Sequence, residues 1–311
     1  MQLTTSNIAT LCVCILCIAT WIPSDDFFLR DTPGLHNVIR VTPKLLSGSS
    51  PEGETGFRTL QMLGVKTIIS VDGARPELPL SKKFGLRYVH LPIGYDGVPE
   101  DQSLRLAKAV KELPGLVYMH CHHGKHRSPA AAAVVKLHLD PSCSTASALA
   151  ILKAAGTDPK YLGLFAATRD YQRPAIIPWD KVSNDFPEVA HLGTLVQRMV
   201  AIDEHWDRLK LCQQSKWHPP EKHPDIEPAH EALMLREHYV ELQRATGNQK
   251  WPVPFQMMLQ EAVLEAKRLE TALREPPGNE STTSINKHFK SSQAICLRCH
   301  SQYRDVPQEK R

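Results

Sequence analysis

Residues 120–128 read HCHHGKHRS. Cys121 is followed, after five intervening residues, by Arg127, and no other cysteine in the chain has an arginine at that spacing. A thiol attacks as its thiolate, and a helix start with cations beside it favours that form. The apolar run Leu116 to Met119 precedes the segment, and the small-residue run Ala130 to Val135 follows it. That order predicts a strand, a tight loop and a helix. Such a loop can aim several backbone N–H groups at one oxyanion. Gly124 lets the backbone turn inward. The Arg127 guanidinium offers a planar fork for phosphate oxygens, and Ser128 can donate to the thiolate or assist its departure. His122, His123, Lys125 and His126 make the variable positions basic. A metal site is a rival reading, since His123-x-x-His126 has zinc-type spacing, but it leaves Arg127 without a purpose.

Patterning around the loop predicts an α/β unit over residues 34–171. Val38–Val41, Leu45–Leu46, Val65–Val71, Leu86–Leu91 and Leu116–Met119 are strand candidates. Helices are expected from Ser50-Pro51 to Leu63, through Leu106, Val110 and Leu113, from Ser128-Pro129 onward, and over about 142–155 and 159–171. Strands alternating with helices imply a sheet covered on both faces. Asp72-Gly73 reads as a turn after its strand, with Asp72 and Arg75 near the mouth of the loop. Residues 172–186 carry Pro174, Pro178 and Asp180 and read as a linker. Beyond it the strand signal ends. From Val189 to Leu209, Ala232 to Leu242, Phe255 to Leu273 and about 283 to 304, apolar residues recur every three or four positions. These predict an all-α four-helix bundle over 187–305.

The last of these helices carries a second chemical motif, CLRCH, at residues 296–300. Two thiols and a following histidine form the pattern for covalent haem attachment, with His300 as the iron ligand. Cys296 and His300 are one helical turn apart and share a face. Half of a zinc site is the competing reading; no second Cys-x-x-Cys lies near it to complete one, though histidines could. Met199, on the first bundle helix, is the candidate sixth ligand; a methionine on an apolar stripe is otherwise simply core.

The HC-x5-R-S motif resembles that of the cysteine-based tyrosine and dual-specificity phosphatases. LSGSSPEGETGFRTLQMLGVKTIISV and LRYVHLPI are similar to the opening helix–strand unit of the compact branch and to the strand before its general-acid loop. The resemblance implies Cys121 as nucleophile, Arg127 as phosphate clamp, a phosphocysteine intermediate and no metal for that step. It also implies an aspartate as general acid, and Asp96 in IGYDGVPE is the first candidate, with Asp101 the second. Loops with a Gly-Lys-x-Arg core resemble branches acting on inositol phosphates. The substrate is therefore expected to be a phosphorylated protein or a polyanionic small molecule, with the basic side chains otherwise pointing outward. The helical half resembles the class II c-type cytochromes, which implies haem c bound by Cys296, Cys299 and His300 and a redox partner. A chain of this kind is expected to sense redox state or a gas, or to transfer electrons. The alternative is an electron-transfer or sensor cytochrome whose α/β unit only binds an anion.

At 311 residues the chain is long enough for two domains, and a net charge of +4 without a basic–aromatic cluster assigns it no nucleic-acid role. The eight cysteines do not form a disulfide framework. Residues 8–22 are an unbroken apolar run followed by Asp25 and Asp26. The run suits a signal-peptide core or an anchor within residues 1–24. Export, to a periplasm or its equivalent, agrees with covalent haem assembly outside the cytoplasm.

Overall fold

A computed structural model describes residues 28–29, 32–246, 251–275 and 279–306. The expected leader lies outside the described residues. No described helix is long and apolar enough to cross a membrane.

Five strands form one mixed sheet: β1 (Ile39–Thr42), β2 (Leu45–Ser49), β3 (Val65–Ser70), β4 (Arg87–His90) and β5 (Leu116–Cys121). Their order is β1-β2-β5-β3-β4, with β1 antiparallel to β2 and the other neighbours parallel. Each of the four parallel strands is buried along almost its whole length, as a sheet covered on both faces requires. Helices α1 (Gly53–Met62) and α2 (Leu78–Lys83) lie on one side. There Phe57 and Leu60 pack with Ile68, Tyr88 and Tyr118. On the other side are α3 (Glu100–Glu112), α4 (Arg127–Leu139), α5 (Thr145–Ala154) and α6 (Leu162–Arg169). Their apolar faces meet Val89, Val117 and Met119. Two differences from the sequence reading have local causes. Helix α1 opens at Gly53, and neither Ser50 nor any other side chain caps it. Helix α2 was not expected, because six residues cannot display a helical period.

Residues 170–193 hold no regular element, so the connection runs past 186 to Gly193. Val189 and Leu192 therefore precede the first C-terminal helix. This connection is pinned to the α/β unit. The buried Lys108 ammonium donates to the carbonyls of Trp179 and Val182 at 2.6 and 2.7 Å. His90 N–H donates to Pro187 O, and Ala190 N–H to His90 Nδ1.

Four long helices follow: α7 (Thr194–Gln214), α8 (Pro228–Thr246), α9 (Val253–Arg274) and α10 (Asn279–Tyr303). Each packs on the next in sequence. Trp206 of α7 stacks on Phe289 of α10 at 4.4 Å, joining the first helix to the last. One apolar cluster runs through all four and includes Ile202, Leu235, Leu269 and Phe289.

Candidate functional site

The loop after β5 stands at the carboxyl edge of the parallel strands, where open α/β sheets bind ligands. Its shape follows from where its backbone bonds go. Ser50 N–H, Asn37 Nδ2 and Thr157 Oγ1 donate to the carbonyls of His122, His123 and Lys125 at 3.1, 2.8 and 2.6 Å. With these carbonyls drawn outward, the intervening N–H groups turn inward. Those of His123, Gly124, Lys125 and His126 donate to no protein acceptor among the described residues. Gly124 has φ +71°, and a Cβ there would stand 2.4 Å from the backbone of Gly48 and Ser49. Only glycine meets both demands.

Cys121 is buried, and its Sγ lies 3.4 Å from Ser128 Oγ. The Ser128 hydroxyl also reaches Gly48 O at 3.1 Å. Its one proton can serve either partner, so it can turn from the carbonyl to an ionised sulfur. The imidazole of His120, beside the cysteine, is bonded to Tyr88 Oη at 2.6 Å. Burial outweighs the pull of Asp72 and holds His120 down at about 4, so it is neutral.

Arg127 opens α4 with its side chain across the loop. Asp72 takes both terminal nitrogens, Nη1 at 3.3 Å and Nη2 at 2.9 Å. The second Asp72 oxygen also accepts His122 N–H at 2.6 Å. This contact follows from sheet register: Ser70 pairs with His120, so the residues two further on meet just beyond the strands. Burial would raise the Asp72 carboxyl, but Arg127, the Ala74 N–H and the nearby histidines outweigh it and hold it at about 2. Burial also works against the Arg127 charge, and Asp72 more than restores it. Arg127 Nε is buried and has no hydrogen-bond acceptor among the described residues, while the Tyr95 hydroxyl lies against the same guanidinium. An orphaned buried donor of this kind is costly until something accepts from it. A phosphate oxygen in the loop is a suitable acceptor.

The basic positions of the loop differ from the sequence reading. Desolvation holds His126 at about 4, and its ring packs edge-on against Tyr161 at 4.7 Å. His123 is lowered by burial and by His122. His122 turns to α7, with Nε2 3.5 Å from Asp207 Oδ2, and that carboxylate raises it. Lys125 is exposed.

Asp96 sits in the loop after β4. Its carbonyl is so close to α6 that a Cβ at Gly163 would lie 2.0 Å away, and its Oδ1 folds back over Gly94. The neighbouring Tyr95 is what this loop sends to the arginine. The Tyr95 ring lies 4.5 Å from the Arg127 guanidinium carbon, 4.6 Å from the Tyr161 ring and 4.4 Å from the guanidinium carbon of Arg304. Burial keeps its phenol protonated, with the pKa pushed up to about 12. Sequence reasoning missed Tyr95, Arg304 and Asp207; it placed Asp72 in a turn near the mouth of the loop but not as the partner of Arg127. The one available signal was the placement of Asp72 at the end of a strand beside β5.

The second motif lies on the last turns of α10. Cys296 Sγ is 3.3 Å from Tyr239 Oη of α8. Cys299 packs on the helical cluster, as does Met199. Burial raises both thiols, Cys299 to about 11. Burial, Arg304 and Lys160 hold His300 down at about 3. Two free cysteine thiols and a histidine within the last turns of one helix are the donor set that a thioether-bound haem would use, so the residue types present fit that group. Among the described residues, no three or more His, Cys, Asp or Glu side chains are grouped to hold a metal ion, and no cysteine is in a disulfide.

No protein-family model and no curated protein matches the sequence. Among solved structures, the chain is similar to Pseudomonas aeruginosa TpbA, with 23% identity and a TM-score of 0.40 over 45% of this chain and 92% of that one. It is also similar to the core catalytic domain of the PP-IP phosphatase SIW14 from Saccharomyces cerevisiae. There the identity is 18% and the TM-score 0.35, over 39% of this chain and 75% of that one.

Proposed function

We propose that the α/β unit is a phosphoric monoester hydrolase of the cysteine-dependent type. The unpartnered, buried Arg127 Nε beside the inward N–H groups of the Cys121 loop carries this reading. The phosphate binds with its oxygens on those N–H groups and on Nε, while Asp72 holds the guanidinium plane. Cys121 attacks phosphorus as the thiolate, and the P–O bond to the leaving group breaks. For Asp96 to give the departing oxygen its proton, its carboxyl swings from over Gly94 toward the loop. Water then attacks the phosphocysteine, with Ser128 donating to the departing sulfur. The protein itself needs no metal for these steps. The fixed charges at the loop, Lys125 and Arg127, suit a phosphorylated protein or a polyanion such as an inositol phosphate.

Helices α7–α10 form the haem domain in this reading, with haem c held by Cys296 and Cys299 and ligated by His300. Met199 is the protein side chain offered for the sixth position. Bound there, the haem supplies an electron-transfer or gas-binding centre, which gives the chain a redox partner. A haem attached outside the cytoplasm fits an exported chain, processed or anchored through residues 1–24.

Phosphate release from phosphotyrosine peptides and inositol polyphosphates, measured with chelator present, tests the hydrolase. Cys121→Ser abolishes release, whereas release unchanged in that variant overturns the reading. A pyridine haemochrome spectrum tests the second half: the full chain gives a c-type spectrum, and Cys296→Ala with Cys299→Ala removes it. A haem spectrum without Cys121-dependent hydrolysis leaves an electron carrier with an anion-binding module.

A further inference from the structure

We propose that Arg304, at the end of α10, is a positioning residue of the Cys121 loop, acting through Tyr95 on Arg127; this rests on reading that loop as an oxyanion site. Arg127 is fixed at its terminal nitrogens by Asp72, which leaves its tilt about that pair to whatever touches its face. Tyr95 touches it, at 4.5 Å. Tyr95 itself belongs to an irregular segment between β4 and α3, so the backbone ladder does not hold it. Packing holds it instead, against Tyr161, His126 and the Arg304 guanidinium. Arg304 is itself placed firmly. Its N–H donates to His300 O at 2.9 Å, and its Nε donates to the buried Asp305 at 2.6 Å. One aromatic ring thus bridges two guanidinium groups that would otherwise repel, each attracted to its π-electrons.

The contact joins the two chemical motifs of the chain. His300 lies in the last turn of α10, Arg304 follows that turn and bonds back to His300 O, and Arg127 opens α4. A displacement of that turn is passed by a single side chain to the phosphate clamp. Conversely, an anion that draws Arg127 inward pulls on Tyr95 and loads the turn that carries His300.

Inorganic phosphate binding to the full-length Cys121→Ser chain, measured by titration calorimetry, tests the link. Arg304→Gln weakens binding about fivefold, the size of one partly buried cation–π contact. Arg304→Lys recovers most of the loss, and in a Tyr95→Phe chain, which keeps the ring but loses the phenol's bond to Arg127, Arg304→Gln still weakens binding by about the same factor. Tyr95→Leu weakens binding as much as Arg304→Gln, and combining the two adds no further loss, as expected when both act through one path. Arg304→Met, which keeps the stem, replaces Arg304→Gln should that variant not fold, with the same loss required. Unchanged affinity on losing the Arg304 charge overturns the proposal. So does an equal additional loss in the Tyr95→Leu background, since Arg304 would then act only as a distant charge. A parent chain that binds no phosphate overturns the oxyanion reading and this inference together.

Discussion

At the scale of single residues, the arginine of the HC-x5-R motif is defined by its partner as much as by its spacing. Asp72 neutralises Arg127, accepts the first loop N–H and leaves Nε open. Removing one member of such a buried pair strands the other. Asp72→Ala is therefore expected to cost about 3–5 kcal/mol of stability, read from the urea midpoint. The carboxyl is held at about 2 against an ordinary 3.8, so the folded chain keeps it ionised where the unfolded chain protonates it. That stabilisation is full above about pH 4 and is lost as pH falls toward about 2; it amounts to roughly 2 kcal/mol. Unfolding midpoints measured between those pH values should fall steeply in the wild type and more gently in Asp72→Asn. In the sequence Asp72 reads as the first residue of an Asp-Gly turn near the mouth of the loop, not as the partner of Arg127. Its role depends on β3 lying beside β5, a pairing that separates partners by 50 or more positions in the chain.

At the scale of elements, a strand and a helix deliver Cys121 and Arg127, while the loop between them owes its form to tethers from elsewhere. Gly124 tests this. Gly124→Ala places a Cβ against the backbone of β2 at a positive φ. It should destabilise the fold by about 1–3 kcal/mol and abolish phosphate binding, measured by melting and by titration. Ser144 makes a separate local case: its side chain caps α5 by accepting from Ser147 N–H. Ser144→Ala should cost about 1 kcal/mol without changing phosphate affinity. Most of these elements were legible from periodicity and from Gly or Pro stops. Gly64 ends α1 in left-handed geometry, as expected of such a stop, whereas α3 ends where Leu113 turns extended, two residues before Gly115. The start of α7 was misplaced because Val189 and Leu192 continue its apolar spacing, although they lie in the connection that is bonded to β4.

At the scale of the whole molecule, the connection and the last helix draw the helical half onto the mouth of the loop. Residues 178–190 are fastened to α3 and β4 through Lys108 and His90. Lys108→Met leaves the Trp179 and Val182 carbonyls without their donor and should release this segment. Limited proteolysis should then cut within 172–193 faster, while the helical half keeps its thermal midpoint. Beyond the connection, His122 meets Asp207, Gly73 lies under Val196 and Val200, and Arg304 meets Tyr95. None of these contacts has a local pattern, since each pairs surfaces from distant parts of the chain.

The sequence by itself determined the Cys-x5-Arg spacing, the Cys-x-x-Cys-His motif, and the change from mixed sheet to helices. These rest on spacing and periodicity, which are properties of neighbouring residues. Tertiary structure alone decided the partner of Arg127, the neutral state of His126 and His300, and the meeting of Tyr95 with two guanidinium groups. Desolvation and through-space charge set those features, and neither exists until distant segments pack together.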